Sequence, residues 1–177
     1  MKLHIGCGEK FLEGYIHIDV TGYPHVNIIT PAHMLNMLTD NCVDEIYACH
    51  IFEHYGRHEH INALKEWYRV LKTNGIVRIS VPDFDAVVEH YNEHKDLNLL
   101  VGLLYGRQNY EFNFHHYVFN YKTLSEALSV TGFTDIQRYD WRDFLPKGFD
   151  DFSRSYLPHM DFDNGKLMSL NLVAKKV

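Results

Sequence analysis

Leu3-His4-Ile5-Gly6-Cys7-Gly8, with Tyr15-Ile16-His17-Ile18-Asp19 a short way after it, decides what kind of chain this is. The first three residues form a short apolar run closed by a glycine pair, and Tyr15–Asp19 alternates with the two-residue period of a half-buried strand. A glycine turn directly after a strand leaves backbone bare of Cβ atoms, so a ligand can approach it closely. Ligands of open α/β sheets bind at the carboxyl ends of such strands. Asp19, ending the second strand, is suited to accept hydrogen bonds from the hydroxyls of a ribose. A pyrophosphate-binding fingerprint would need a third glycine where Phe11 stands, so a nicotinamide dinucleotide is the lesser reading.

Working outward, strand and helix signals alternate. His25–Ile29 predicts a third strand stopped by Pro31, and Val43–Ala48 a fourth after the polar turn Thr39-Asp40-Asn41. Between Arg57 and Lys72, Ile61, Leu64, Trp67, Tyr68 and Leu71 recur at helical spacing, and Asn74-Gly75 supplies a stop. Ile76–Val81 then reads as a buried strand ended by Pro82, and strand–helix–strand in this order predicts a crossover into a parallel sheet. Phe84–His116 reads as a mostly helical insertion, Tyr121–Val130 as a helix, and Thr134–Tyr139 and Met168–Ala174 as closing strands. Trp141–Lys166 is aromatic, acidic, turn-rich and longer than an ordinary loop, which marks it for substrate or subunit contact.

The chain has 177 residues, 46% of them hydrophobic, which suits one core rather than two. A net charge of -6 without a basic patch argues against a phosphate-backbone partner, so no nucleic acid is expected. No apolar run reaches the roughly 20 residues that span a bilayer, so no membrane is expected either. The N-terminus runs straight into a strand and leaves no room for a signal peptide. Cys7, Cys42 and Cys49 lack paired spacing and read as small hydrophobes in a reducing compartment. The expectation is a single cytoplasmic domain, residues 1–177, acting on a small molecule.

The ordered motifs Leu3–Gly8, Tyr15–Asp19, Asp40–Tyr47, His50-Ile51-Phe52-Glu53-His54, Arg69–Gly75, Val81-Pro82-Asp83 and Gly132-Phe133 resemble those of the class I S-adenosylmethionine (SAM) methyltransferases, in particular the small methyltransferase-11-like group. The resemblance covers residues 1 to about 140, judged by the series of strand-end motifs. It implies an α/β, Rossmann-like three-layer sandwich: a mostly parallel sheet of about seven strands with the last antiparallel. It implies SAM as cofactor, with Gly6, Cys7 and Gly8 along its methionine part, Asp19 on the ribose, Ala32-His33 near the adenine and His50 beside the sulfonium. In this family an acid commonly stands two residues before the first glycine, where this chain has His4, and another near Ala32, where it has none. The family's N-terminal cover of SAM would be replaced by the 84–116 insertion, the 141–166 segment or a second subunit, as in a homodimer. A sugar hydroxyl in surface-polysaccharide biosynthesis is the preferred acceptor.

Methyl transfer to a hydroxyl needs alignment and a base, and imidazole suits that base because its pKa lies near neutrality. His54, His115 and His116 are the candidates, with Asp83 as an orienting carboxylate or as a helix cap after Pro82. His50, His54 and His58 stand at i, i+4, i+8, a metal-ligand spacing if they shared one helix face. With no carboxylate or cysteine obviously completing the set, no metal is assigned. Two further readings are a non-catalytic SAM-binding partner subunit and, behind it, a histidine-ligated metal hydrolase.

Overall fold

A computed structural model describes all 177 residues. The sheet is built first from β1 (Lys2–Ile5), β2 (Ile16–Asp19), β3 (Ile28–Ile29), β4 (Val43–Cys49) and β5 (Leu71–Pro82), all paired in parallel. Helix α1 (His60–Val70) carries the chain from β4 to β5. After β5 come α2 (Phe84–His94), α3 (Val101–Tyr105), α4 (Tyr121–Thr131), β6 (Phe133–Arg138) and the short α5 (Trp141–Phe144). A two-strand ribbon, β7 (Tyr156–Leu157) with β8 (Lys166–Leu167), precedes the final strand β9 (Ser169–Lys176). That strand inserts antiparallel between β5 and β6. The order across the seven-stranded sheet is β3-β2-β1-β4-β5-β9-β6, the mostly parallel sheet with an antiparallel last strand that the family resemblance implies.

Alternation along the strands sorts residues to two unequal faces. On one face Leu3, Ile5, Ile46, Ala48, Val77, Ile79, Leu170 and Leu172 meet Leu64, Trp67 and Val70 of α1 and Leu124 and Leu128 of α4 in one large apolar core. On the other, Tyr47 and Cys49 pack with Leu12 and Leu145, flanked by Tyr15, Tyr139, Phe144 and Phe149. His4 lies in register between His17 and Tyr47, and its ring sits 5.5 Å and 5.3 Å from theirs. This third layer is thin, because the segments joining β1 to β2 and β2 to β3 carry no helix; imidazole and aromatic rings from loops and from the α5 region cover the sheet instead.

Several expected boundaries shift. Only Ile28–Ile29 of the third strand pairs, against β2 alone. The first long helix starts at His60 and ends at Val70. Asn74-Gly75 is not its stop: pairing jumps from Val43↔Leu71 to Glu45↔Ile76, and the two residues occupy the resulting bulge, Asn74 at φ +66°. Of residues 84–116, only α2 and α3 are helical. Gly106, at φ +76°, closes α3 where a Cβ would lie 2.5 Å from the Asn113 carbonyl oxygen.

Candidate active site

The chain runs from β1 outward to β2 and β3, then returns to β4 on the other side of β1 and continues away through β5. The adjacent carboxyl ends of β1 and β4 therefore form the switch point at which sheets of this kind bind ligands. Gly6-Cys7-Gly8 leaves β1 there, and His50 leaves β4. Gly6 sits at φ +64°, and a Cβ on it would strike Ile51 Cγ1 at 2.5 Å, so glycine is what lets the two strand ends come together. Gly8, at φ +53°, would project a Cβ into open space. His50 itself takes a left-handed φ of +50°, a conformation costly for a side-chain-bearing residue and concentrated at functional sites.

A cleft of about 360 Å³ opens at this point, and His4, Gly6, Cys7, Gly8, Asp19, His50 and His54 all line it. The Asp19 carboxylate accepts from the Gly8 N–H at 2.8 Å through Oδ2 and from the Thr21 N–H at 2.8 Å through Oδ1. These bonds fix its orientation and leave lone pairs free. His4 is 2% exposed, and its Nδ1 is buried without a partner. Burial, helped by the neighbouring His17 and His25 rings, brings its pKa down to about 3, so it presents a neutral ring with no charge of its own. Asp151 completes this end of the cleft. Tyr47 O–H donates to its Oδ2 at 2.5 Å, and the Ser153 hydroxyl and N–H donate to its Oδ1 at 2.6 Å and 3.0 Å.

A second pocket of about 310 Å³ adjoins the cleft and includes Leu103, His115, Tyr156 and His159 in its lining. His50, His54, Arg107, Asn113 and Phe152 line both spaces. Arg107 lies over the Phe152 ring, 5.7 Å from its centroid, so the irregular segment after α3 meets the segment before β7 across the opening. Beneath the shared wall is Glu53, 1% exposed, with neither carboxylate oxygen hydrogen-bonded. His50 Nδ1 is 3.3 Å and His115 Nε2 3.7 Å from its Oε1. Burial pushes the Glu53 carboxyl up to about 8 and, acting first in each case, lowers His50 to about 3, His54 to about 4 and His115 below its usual value.

The remaining candidates lie elsewhere. Asp83, 6% exposed, caps α2 by accepting from the Asp85 N–H at 3.2 Å and pairs with Arg138 at 3.4 Å. Burial raises its pKa against the pull of Arg138, and it lines neither space. His116 is exposed and contributes its N–H to the Glu53 carbonyl at 2.9 Å. Ala32 belongs to the large core, its carbonyl accepting from the Trp67 indole N–H at 2.7 Å. His33 is exposed beside Tyr55. Neither lines the cleft, so the contact expected from Ala32-His33 is not among its walls. The His50, His54, His58 row does not form: His50 follows the end of β4, His54 lies in a 3-10 turn (Phe52–His54) and His58 is exposed. Arg107, Asn113, Asp151, Phe152 and Glu53 are residues at the site that sequence reading did not single out. Glu53 stood within a quoted motif, while only the segment containing Asp151 was marked.

A seven-stranded sheet in this order, with a glycine turn and a carboxylate at its switch point, is the fold found in class I SAM-dependent methyltransferases. The family model described as "Methyltransferase domain" matches residues 20–79. Among solved structures, a SAM-dependent methyltransferase from Archaeoglobus fulgidus superposes with a TM-score of 0.59 at 18% identity, covering 99% of this chain and 85% of that one. A SAM-dependent methyltransferase from Methanosarcina mazei gives 0.60 at 16% identity, covering 99% and 92%. The Burkholderia thailandensis 1,6-didemethyltoxoflavin-N1-methyltransferase, crystallised with 1,6-didemethyltoxoflavin and S-adenosylhomocysteine, gives 0.59 at 14% identity, covering 99% and 70%. No curated protein matches the chain. No helix is long and apolar enough to cross a membrane.

Proposed function

We propose that the chain binds SAM in the cleft between β1 and β4 and methylates a small polar acceptor held in the adjoining pocket. The observation that carries this reading is the pair of spaces sharing one wall: a donor and an acceptor seated in them would meet at His50 and His54. The cleft fits an adenosyl amino acid by its own chemistry. Asp19 offers the ribose free lone pairs, and the open space beside Gly8 admits the ligand against bare backbone. The unpartnered His4 Nδ1 and the Asp151 carboxylate offer acceptors to an ammonium group. Asp151 thereby offers a negative charge where position 4 has none, which favours this reading over a non-catalytic partner subunit.

SAM supplies a methyl group on positively charged sulfur; the acceptor oxygen bonds to that carbon as the carbon–sulfur bond breaks, with the electron pair staying on sulfur. The chain's part is alignment and handling of the proton. His54 and His115 face the acceptor pocket, Arg107 and Asn113 add donors for a hydroxylated ligand, and the hydroxyl proton leaves toward an imidazole of the shared wall. The polar character of that wall supports a sugar hydroxyl as acceptor. The free Cys7, Cys42 and Cys49 favour a reducing compartment such as the cytoplasm.

Titration calorimetry with SAM and S-adenosylhomocysteine tests this reading. Binding at one site per chain is expected, and Asp19→Ala should weaken it by about 1.5 to 3 kcal/mol, the range for hydrogen bonds to a charged group. A folded protein that binds neither ligand would overturn the reading, and unchanged affinity in Asp19→Ala would remove Asp19 from the site.

A further inference from the structure

Glu53 is a carboxylate buried at the centre of the molecule, and nothing donates to either of its oxygens. Burying such a group as an anion costs several kcal/mol, so buried carboxyls are found protonated, paired or bound to cations. The surroundings hold imidazoles instead of a lysine or arginine. His115 Nδ1 lies 2.8 Å from the Leu103 carbonyl oxygen, which can only accept, so the ring proton sits on Nδ1 and Nε2 presents a lone pair. That lone pair faces Glu53 Oε1 across 3.7 Å, and no hydrogen bond of the protein reaches that oxygen. His54 Nδ1 is likewise buried and unpartnered, and the rings of His54 and His115 meet edge to face at 4.9 Å.

One ligating atom each from Glu53, His54 and His115 all lie within 4.8 Å of one another. Ligands about 2.1 Å from a common ion stand roughly 3 to 4 Å apart, so adjustments of under about an ångström would seat one. Two imidazoles and a carboxylate are a donor set suited to a first-row divalent cation with coordination positions left open. His115 is oriented by its bond to Leu103, and His50 lies against Glu53 through Nδ1 while its Nε2 meets the Ser169 hydroxyl at 3.2 Å. Such outer contacts are how ligand side chains are held for a metal.

We propose that Glu53, His54 and His115 bind a divalent cation of the zinc type at the floor of the acceptor pocket, and that the acceptor's hydroxyl coordinates it. The second half rests on the reading of that pocket as the acceptor site. With His54 and His115 engaged as ligands, coordination takes the place of an imidazole base by making the hydroxyl more acidic; its proton passes to solvent, and the oxygen that remains forms the new bond to carbon as the carbon–sulfur bond breaks. The substrate class this selects is an alcohol, best a vicinal diol able to offer two oxygens to one ion.

The test is titration of chelator-treated, folded protein with Zn²⁺ and with Co²⁺, read by calorimetry and by the visible spectrum of cobalt. One ion per chain is expected, with cobalt bands of mixed nitrogen–oxygen ligation. Glu53→Gln and His115→Asn should each weaken the ion at least about tenfold and still bind S-adenosylhomocysteine, which reports that they fold. No stoichiometric binding, a spectrum of hydrated cobalt only, or unchanged affinity in both folded variants would overturn the site. The wild-type cobalt spectrum decides the matter even where a variant fails to fold. S-adenosylhomocysteine binding without the ion sinks the cation alone. The ion without S-adenosylhomocysteine binding supports the cation site and overturns the acceptor's role at it.

Discussion

His4 occupies a position from which a carboxylate would contribute negative charge, and its neighbours hold it neutral. With a folded pKa near 3 against 6.5 when exposed, the unfolded chain takes up a proton below pH 6.5 that the folded chain refuses. The stability tied to this residue is therefore fully present above pH 6.5. It is lost as pH falls from about 6.5 towards 3, up to roughly 4 kcal/mol at about 1.4 kcal/mol per unit. His50 and His54 shift in the same direction, so the wild-type acid limb is a sum and one substitution isolates one share. His4→Gln should flatten the fall in urea-unfolding free energy between pH 6.5 and 4; a curve parallel to wild type would show that His4 is not held neutral. At this scale the meeting of Gly6, Gly8 and Asp19 beside one strand end was legible, because a glycine turn and a strand-ending acid are local backbone features. Asp151 was not, since it reaches the cleft only through a bond from Tyr47, far away in the chain. Glu53 stood in the quoted His50–His54 motif without a role, and its burial comes from a segment much later in the chain, where the His116 and Tyr117 N–H groups donate to its backbone carbonyl.

Helix α4 shows what one element contributes. Asn120 accepts from the Thr123 N–H at 3.0 Å, while the Thr123 hydroxyl accepts from the Asn120 N–H at 3.0 Å, a reciprocal cap. The helix it starts lays Leu124, Ala127 and Leu128 into the large core beside α1. Asn120→Ala should cost about 1 kcal/mol of stability, read by denaturant unfolding, with S-adenosylhomocysteine affinity unchanged because the cap lines neither space. α1 was legible from its apolar spacing, though its ends were not: Leu71 continues the periodicity but pairs with Val43 as strand, since a parallel ladder to β4 satisfies more backbone than another helical turn. The 84–116 stretch misled for the converse reason. Its apolar residues sit at helical spacing, yet beyond Gly106 the chain bonds to itself and to Glu53 rather than into a ladder.

Across the whole molecule, a thick apolar half supports the sheet while a thin polar half holds the site. Arg107, Tyr110, Phe112, Asn113, Asp151 and Phe152 reach the cleft from segments outside the sheet. Few of the backbone groups there enter helices or ladders, which places such segments at the readily opened end of the stability range. Adding S-adenosylhomocysteine should slow amide exchange at 106–113 and 149–153 several-fold while leaving β4, β5 and β9 unchanged. Uniform slowing everywhere, or none at these segments, would mean that they do not close on the ligand.

His50, His54, Arg107, Asn113 and Phe152 each serve two chambers at once, and this bears on inhibitor chemistry. An adenosine carrying a short polyol arm from its 5′ carbon could thread from one chamber into the next without leaving the protein. The tethered half would then face a local concentration on the order of millimolar. Two weak fragments joined in this way would bind far more tightly than either alone, and the arm length giving the tightest compound would measure the gap a methyl group has to cross.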